Sequence, residues 1–361
     1  MGRILYIARA GLGAMGEVAL SHYVRHVRAH HQVFVTSPPA RDDIVLPPPE
    51  GVVSRVLPNA PPQKRQLALF DMIREIRPDI IHMIQSPYCF EDMMGLKLVF
   101  PEVKWVLDFR SPHIGARDAR ILDRFQAMHL HVDKLLTHAR LSLKTNIRRN
   151  WRRAVEVPPG VDAAAIRMAD APQVPPRTFV YIGSISKTRK MEDFVDLFGG
   201  LLKAADSAIA QVRLDIIGGG NGVEDLRRHI AERGWFSAIR VIDPMPQQML
   251  WDKIAAYDAG LAYVPMGDFE SAPSLKSIEF AAAGLPVLAS GTPGHVDFER
   301  RYGFRFHLFE NTAEDFAATV AALPARIRPG DQAHNRRAAE ALDWAHIVKR
   351  HLLPVYAELM R

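Results

Sequence analysis

The sequence predicts an α/β protein built from two doubly wound parallel sheets, and three observations lead there. The chain has 361 residues, too many for one ordinary core and about right for two domains of ~150 to 200 residues each. Short β-branched runs alternate with amphipathic helical stretches, the pattern of parallel strands joined by crossover helices. That pattern lapses over residues 158–176, which hold Pro158, Pro159, Gly160, Pro172, Pro175 and Pro176, and then begins again.

The first half supplies strands over 3–8, 32–36, 52–57, 79–84, 104–109 and 134–137, with helices over 13–29 and 64–76. The second half supplies strands over 179–182, 213–217, 240–242, 260–264 and 286–289 with helical stretches between them. The expected domains are therefore 1–165 and 166–340, each a Rossmann-like sheet. Residues 336–361 read as helical, broken only at Pro354. Ligands of open parallel sheets bind outside the carboxyl ends of the strands, so an interdomain cleft is the expected active site.

Composition narrows the partners. With 48% apolar and 24% charged residues, both domains can bury a normal core. Cys89 is the single cysteine, which rules out an intrachain disulfide and cysteine-cluster metal sites and fits a reducing cytosol. The apolar run at 4–8 is too short for a signal peptide, and no stretch reaches the ~20 apolar residues of a spanning helix. A formal charge of +6 implies an anionic partner, whether nucleotide, phospholipid or nucleic acid.

Glycines 11, 13 and 16 follow the first strand, where backbone amides can approach an anion. A dinucleotide site is disfavoured, because the place of its acidic ribose partner holds Thr36, Ser37 and two prolines. Gly13 is the functional choice; for Gly11 and Gly16 a plain strand–helix turn is an equal alternative. The second half is more informative, in the segment from Phe269 to Ser290. Ser271 or Ser274 can cap a helix on which Lys276 and Glu279 share a face. A helix N-terminus with a lysine suits a diphosphate, and a glutamate one turn later suits ribose hydroxyls. Gly284-Leu-Pro286 then ends the helix and enters a strand.

This segment resembles the donor-binding motif of family-4 (group 1) retaining glycosyltransferases of the GT-B fold, in which Glu279, Ala282, Gly284, Pro286 and Val287 match. The family's first glutamate is absent, since Ser271 stands eight positions before Glu279 with Glu270 one step off. Residues 276–282 follow a variant form of the motif, with its proline one place early at Pro273. Further segments resemble the family in order along nearly the whole chain. Residues 179–190 resemble its glycine-and-cation turn, with Gly183 kept, Ser184 in place of an arginine and Arg189 at the lysine position. Residues 214–220 resemble its strand ending in glycines, including Gly218, and residues 157–162 its interdomain linker. Asp343 to His346 with Tyr356 resemble its terminal helices, which cross back onto the first domain. In the first domain His82 ends a strand as in the family, and Asp108, Arg110 and His113 fall where relatives present residues to acceptor and transferred sugar.

The resemblance implies a hexosyltransferase that moves sugar from a UDP- or GDP-linked donor to a glycan or lipid-linked acceptor in surface polysaccharide or glycolipid synthesis. It implies retention of anomeric configuration, with the donor phosphate helping to deprotonate the acceptor. No cofactor or metal is expected: Arg189 and Lys276 would meet the diphosphate, and Asp42-Asp43 is adjacent rather than spaced as a metal motif. Gly13, Gly183, Ser184, Arg189, Gly218, Ser271, Ser274, Lys276 and Glu279 are the donor-site candidates. Two rivals stand: an inactive GT-B scaffold subunit, because Ser184 and Ser271 replace family residues, and a nucleotide-sugar epimerase, for which the acidic pair is not apparent.

The run from Asp133 to Glu156 holds seven cations and no acid between its ends. Arg148, Arg149, Arg152 and Arg153, with Trp151 at headgroup level, suit an anionic membrane surface. Aromatics interleaved for base stacking are nearly absent there, so no nucleic-acid partner is expected. The expected location is the cytoplasm, with peripheral contact at the inner face of the membrane.

Overall fold

A computed structural model describes residues 1–12, 17–39, 47–86, 88–110, 127–146, 153–171, 173–204, 212–267 and 269–361. The chain divides into two compact units, Met1–Pro159 with Trp344–Arg361, and Gly160–Asp343.

The first unit is organised by a seven-stranded sheet of β1 (Arg3–Ile7), β2 (Gln32–Ser37), β3 (Val53–Val56), β4 (Ile80–Ile84), β5 (Lys104–Phe109), β6 (Lys134–Thr137) and β7 (Val155–Glu156). Their spatial order is β3-β2-β1-β4-β5-β6-β7, and every pairing is parallel. A parallel sheet has both faces covered, which is why β4 is buried along its whole length, apolar except at His82. The chain winds outward from β1 to β3 and returns beside β1 as β4, so the strand order reverses there and leaves a crevice at the carboxyl ends of β1 and β4. Trp105, Leu107 and Phe109 of β5 pack with Met83, Leu69, Ile73 and Met93 to form the core on one face.

The terminal segment of this unit corrects one expectation. Its helical course breaks at 341–343, between the helices Asp331–Glu340 and Trp344–Ile347, and not at Pro354. Pro354 sits in the first turn of the helix Leu353–Leu359, where an absent N–H costs little. A π-helical turn over Val348–Leu352 precedes it and changes the hydrogen-bond partners there. The expected basic helix over 140–151 is described as Arg140–Asn146; the rest of it lies outside the described residues.

The second unit holds six parallel strands, β8 (Thr178–Ile182), β9 (Arg213–Ile217), β10 (Ile239–Ile242), β11 (Ala259–Ala262), β12 (Val287–Ser290) and β13 (His307–Phe309), in the order β10-β9-β8-β11-β12-β13. The reversal point lies at β8, between β9 and β11. Phe179, Phe194, Phe198, Phe309 and Phe316 dominate the core on one face. The sequence places eleven of the thirteen strands within two residues of these bounds. It misses β7 and β13, whose two and three residues are too short to display a period.

Candidate functional site

In the second unit the donor-site candidates converge at the carboxyl end of β8. Gly183 ends that strand at a φ of +136°, open to glycine and costly for other residues. Its amide donates to Ile217 O at 3.1 Å, which draws the turn after β8 against the turn after β9. Gly218 lies so close that a Cβ there would stand 1.8 Å from Gly183 O. Backbone surfaces pack directly there, with the Gly183 amide spent on Ile217 O and the Gly218 amide on Ile242 O. Ser184 follows half-buried in the same turn. Lys187–Arg189 then form one 3₁₀ turn, fixed by the Lys187–Asp225 ion pair at 2.9 Å.

One cation lies against this glycine contact and a second stands near the first. Lys276, on the helix Leu275–Ala282, is buried and passes within 3.5 Å of where a Gly183 Cβ would lie. Its ammonium stands 4.5 Å from the centre of the Tyr181 ring and donates a long bond, 3.4 Å, to Tyr263 O. Arg189 places its guanidinium carbon 3.8 Å from the centre of the Phe269 ring. Neither cation forms an ion pair among the described residues. Burial, and then Arg189 nearby, push the Lys276 ammonium down to about 7. Burial also lowers Arg189. Glu279 partly offsets the Lys276 charge, yet burial still outweighs the compensation of both cations, a condition an anion would relieve.

Glu279 stands one turn beyond Lys276 on the same helix. Burial raises its carboxyl, and Trp251 Nε1 donates to its Oε1 at 3.1 Å. The N-terminus of this helix departs from simple capping. Ser274 occupies the cap position, yet its side chain caps nothing; its Oγ and its amide both meet His295 Nε2, at 3.0 and 3.2 Å. Accepting from the amide makes Nε2 the unprotonated nitrogen, so Nδ1 carries the proton and donates to Ser290 O at 2.9 Å. Burial pushes His295 down to about 4, which keeps this ring neutral. Ser271 is buried in a loop stapled by Gly294 N donating to Glu270 O at 2.8 Å. The neighbouring Glu270 side chain accepts from Gly267 N at 3.0 Å, so it is committed to its own loop rather than standing in for the missing glutamate.

In the first unit β4 and β5 bring His82, Asp108 and Arg110 together. Arg110 Nε donates to Asp108 Oδ2 at 2.9 Å, and His82 Nε2 makes a long 3.4 Å approach to the same oxygen. Tyr356 OH meets His82 Nδ1 at 2.6 Å and Tyr6 OH at 2.8 Å. One proton order fits the two hydroxyl contacts: Tyr6 donates to Tyr356 and Tyr356 to Nδ1, which leaves Nε2–H facing Asp108 without a full hydrogen bond. Burial raises the Asp108 carboxyl and pushes Arg110 down to about 9. Asp108 Oδ1 and Arg110 Nη2 are buried without a hydrogen-bond partner among the described residues.

Gly13, His113, Arg148, Arg149, Trp151, Arg152 and the Asp42-Asp43 pair lie outside the described residues, and Arg153 is exposed. Among the described residues no group of three or more His, Cys, Asp or Glu is placed to hold a metal, and no helix is long and apolar enough to cross a membrane. Reasoning from sequence missed Tyr181, Phe269, Trp251 and His295. Each looks like an ordinary core residue, and only its partner reveals the role.

Residues 164–326 match the sequence profile of the family described as Glycosyl transferases group 1. No curated protein matches the sequence. Among solved structures the chain is similar to sucrose-phosphate synthase from Thermosynechococcus elongatus, with a TM-score of 0.79 at 16% identity over 99% of both chains. It is also similar to Anabaena HepE in complex with UDP-glucose, with a TM-score of 0.79 at 12% identity over 99% of this chain and 100% of that one. The lipopolysaccharide outer core galactosyltransferase WaaB gives a TM-score of 0.69 at 16% identity over 99% of both. At such identities the likeness shows the fold, which is GT-B.

Proposed function

Since residues 164–326 match the model of the group 1 glycosyltransferases, we propose that this protein transfers a sugar from a UDP- or GDP-linked donor, held by its second unit without a metal. The observation that carries this reading is the pair of cations Lys276 and Arg189, near each other and without ion-pair partners among the described residues, Lys276 lying against Gly183 and one helical turn from Glu279. A leaving diphosphate gains negative charge as the glycosidic bond breaks, and fixed cations aimed at it lower the barrier. HepE, similar in fold, has been solved with UDP-glucose, which supports a nucleotide-sugar donor. Retention of configuration belongs to the same proposal, with the donor phosphate accepting the proton of the acceptor hydroxyl.

In the first unit, Asp108 and Arg110 are proposed for the acceptor hydroxyl and the transferred sugar, because each keeps a buried polar atom uncommitted. A glycan or lipid-linked acceptor is proposed from the basic run ending at Arg153. A thermal-shift experiment with UDP, GDP and their sugars in EDTA tests the donor reading. Stabilisation in EDTA is expected, and a shift only after adding magnesium or manganese would refute metal independence. Slow release of sugar to water by the same sample would exclude an inactive scaffold. Flotation with anionic vesicles tests the acceptor surface: binding should weaken with salt and on changing Arg148, Arg149, Arg152 and Arg153 to glutamine.

A further inference from the structure

The helix Gln247–Ile254 contributes to the second unit's site through two residues that no donor motif contains. Gln247 and Trp251 are four apart and therefore on one face, and both address the carboxylate of Glu279. Trp251 is buried and its indole N–H donates to Oε1 at 3.1 Å. The Gln247 side chain lies near enough to favour the ionised carboxyl. Glu279 lies on a different helix, so its χ angles are set from outside that helix. The indole is the more rigid of the two partners, because its ring is locked in the core.

Building on the nucleotide-sugar reading, we infer that Trp251 is a positioning residue, with Gln247 assisting, that aims the Glu279 carboxylate at the ribose hydroxyls and so sets the preference for a ribonucleotide. A carboxylate offers about four lone-pair sites. Trp251 occupies one on Oε1, which leaves others for the vicinal 2′- and 3′-hydroxyls of one ribose. A free Glu279 would swing among rotamers and lose entropy on each binding event; the indole removes that freedom in advance. A half-buried acceptor held in place discriminates against a ligand that lacks the matching hydroxyl, since it is then left unpaired.

The test compares binding of UDP and GDP, their 2′-deoxy and 3′-deoxy analogues, and inorganic pyrophosphate, by calorimetry. The wild type is expected to bind at least one deoxy analogue about tenfold more weakly than its parent nucleotide. In Trp251→Phe that preference should fall to about twofold or less, while pyrophosphate affinity stays within about twofold of wild type. Gln247→Leu, at a half-buried position, should give an intermediate preference and decides the matter if Trp251→Phe does not fold. A preference that survives both substitutions would overturn the proposal, as would equal weakening of nucleotide and pyrophosphate, which marks a merely structural tryptophan. A wild type indifferent to both hydroxyls would overturn it too. A wild type that binds pyrophosphate and neither nucleotide would instead remove the nucleotide-sugar reading beneath it.

Discussion

Arg189 holds its guanidinium carbon 3.8 Å from the centre of the Phe269 ring, while no carboxylate pairs with it among the described residues. An aromatic face steadies a cation without neutralising it, so the charge stays available to an anionic ligand. Arg189→Ala should weaken nucleoside diphosphate binding by ~1 to 3 kcal/mol, the usual cost of a lost charge-assisted contact. Phe269→Leu should cost ~0.5 to 1 kcal/mol, the worth of the ring contact alone. Calorimetry checks both, and an unaltered affinity in a folded Arg189→Ala protein would remove this cation from the donor site.

The contact between the turns after β8 and β9 sets a second expectation. A methyl group at position 218 would stand 1.8 Å from Gly183 O, and that obstacle is backbone, which cannot rotate aside. Gly218→Ala must separate the two turns, at a cost of ~1 to 3 kcal/mol typical of overpacking. Urea unfolding should show the loss, and nucleotide binding should fall with it because Gly183 moves against Lys276. A variant with wild-type stability and binding would show that the two turns do not need to touch.

How much of this was legible in the sequence differs between fold and site. The parallel strands announced themselves because strands covered on both faces read as largely apolar runs, as in Phe179–Ile182 of β8. Lys276 and Glu279 could be paired from sequence because they are three apart on one helix. Contacts between distant segments left no such trace. Trp251 meets Glu279 across 28 positions, Ser274 meets His295 across 21, and His82 meets Tyr356 across 274. For Ser274 the local rule misled. A serine at the first position of a helix reads as a side-chain cap, but here a buried histidine took its hydroxyl first.

Tyr356 shows what such a distant contact is worth. Its hydroxyl is shared between Tyr6 and His82, all buried. Tyr356→Phe would leave Tyr6 OH and His82 Nδ1 without it, and each unsatisfied buried group costs ~1 to 3 kcal/mol. A destabilisation of about 2 kcal/mol or more is therefore expected in urea. If Asp108 acts in the reaction, turnover should also fall, since His82 loses the partner that fixes its tautomer, while donor affinity in the second unit stays constant. Loss of donor affinity alongside turnover would argue against this division of labour.

The last expectation concerns pH and follows from Lys276. Burial, with Arg189 beside it, pushes the free ammonium down to about 7, so near neutrality a large fraction of the protein carries it uncharged. A bound diphosphate favours the charged form and must raise that value again. Below pH 7 the charge is already present and this group adds no pH dependence. Above pH 7 binding has to take up a proton, and affinity should fall by up to about tenfold per pH unit until the bound-state value is passed. Glu279, raised by burial, gives a separate fall on the acid side as its carboxylate is lost. For the free protein the sign is opposite to that of the ligand: the unfolded chain binds more protons than the folded one between about 7 and the ordinary lysine value, so stability rises with pH there. Lys276→Met should abolish that rise and weaken the donor together. A nucleotide sugar is the right probe, because its diphosphate diester has no proton to release in this range. Calorimetry at about pH 8 in buffers of differing ionisation enthalpy should register uptake of a large fraction of one proton. Tight binding with no uptake, in a protein whose affinity is flat from pH 7 to 9, would mean that Lys276 is charged before the ligand arrives.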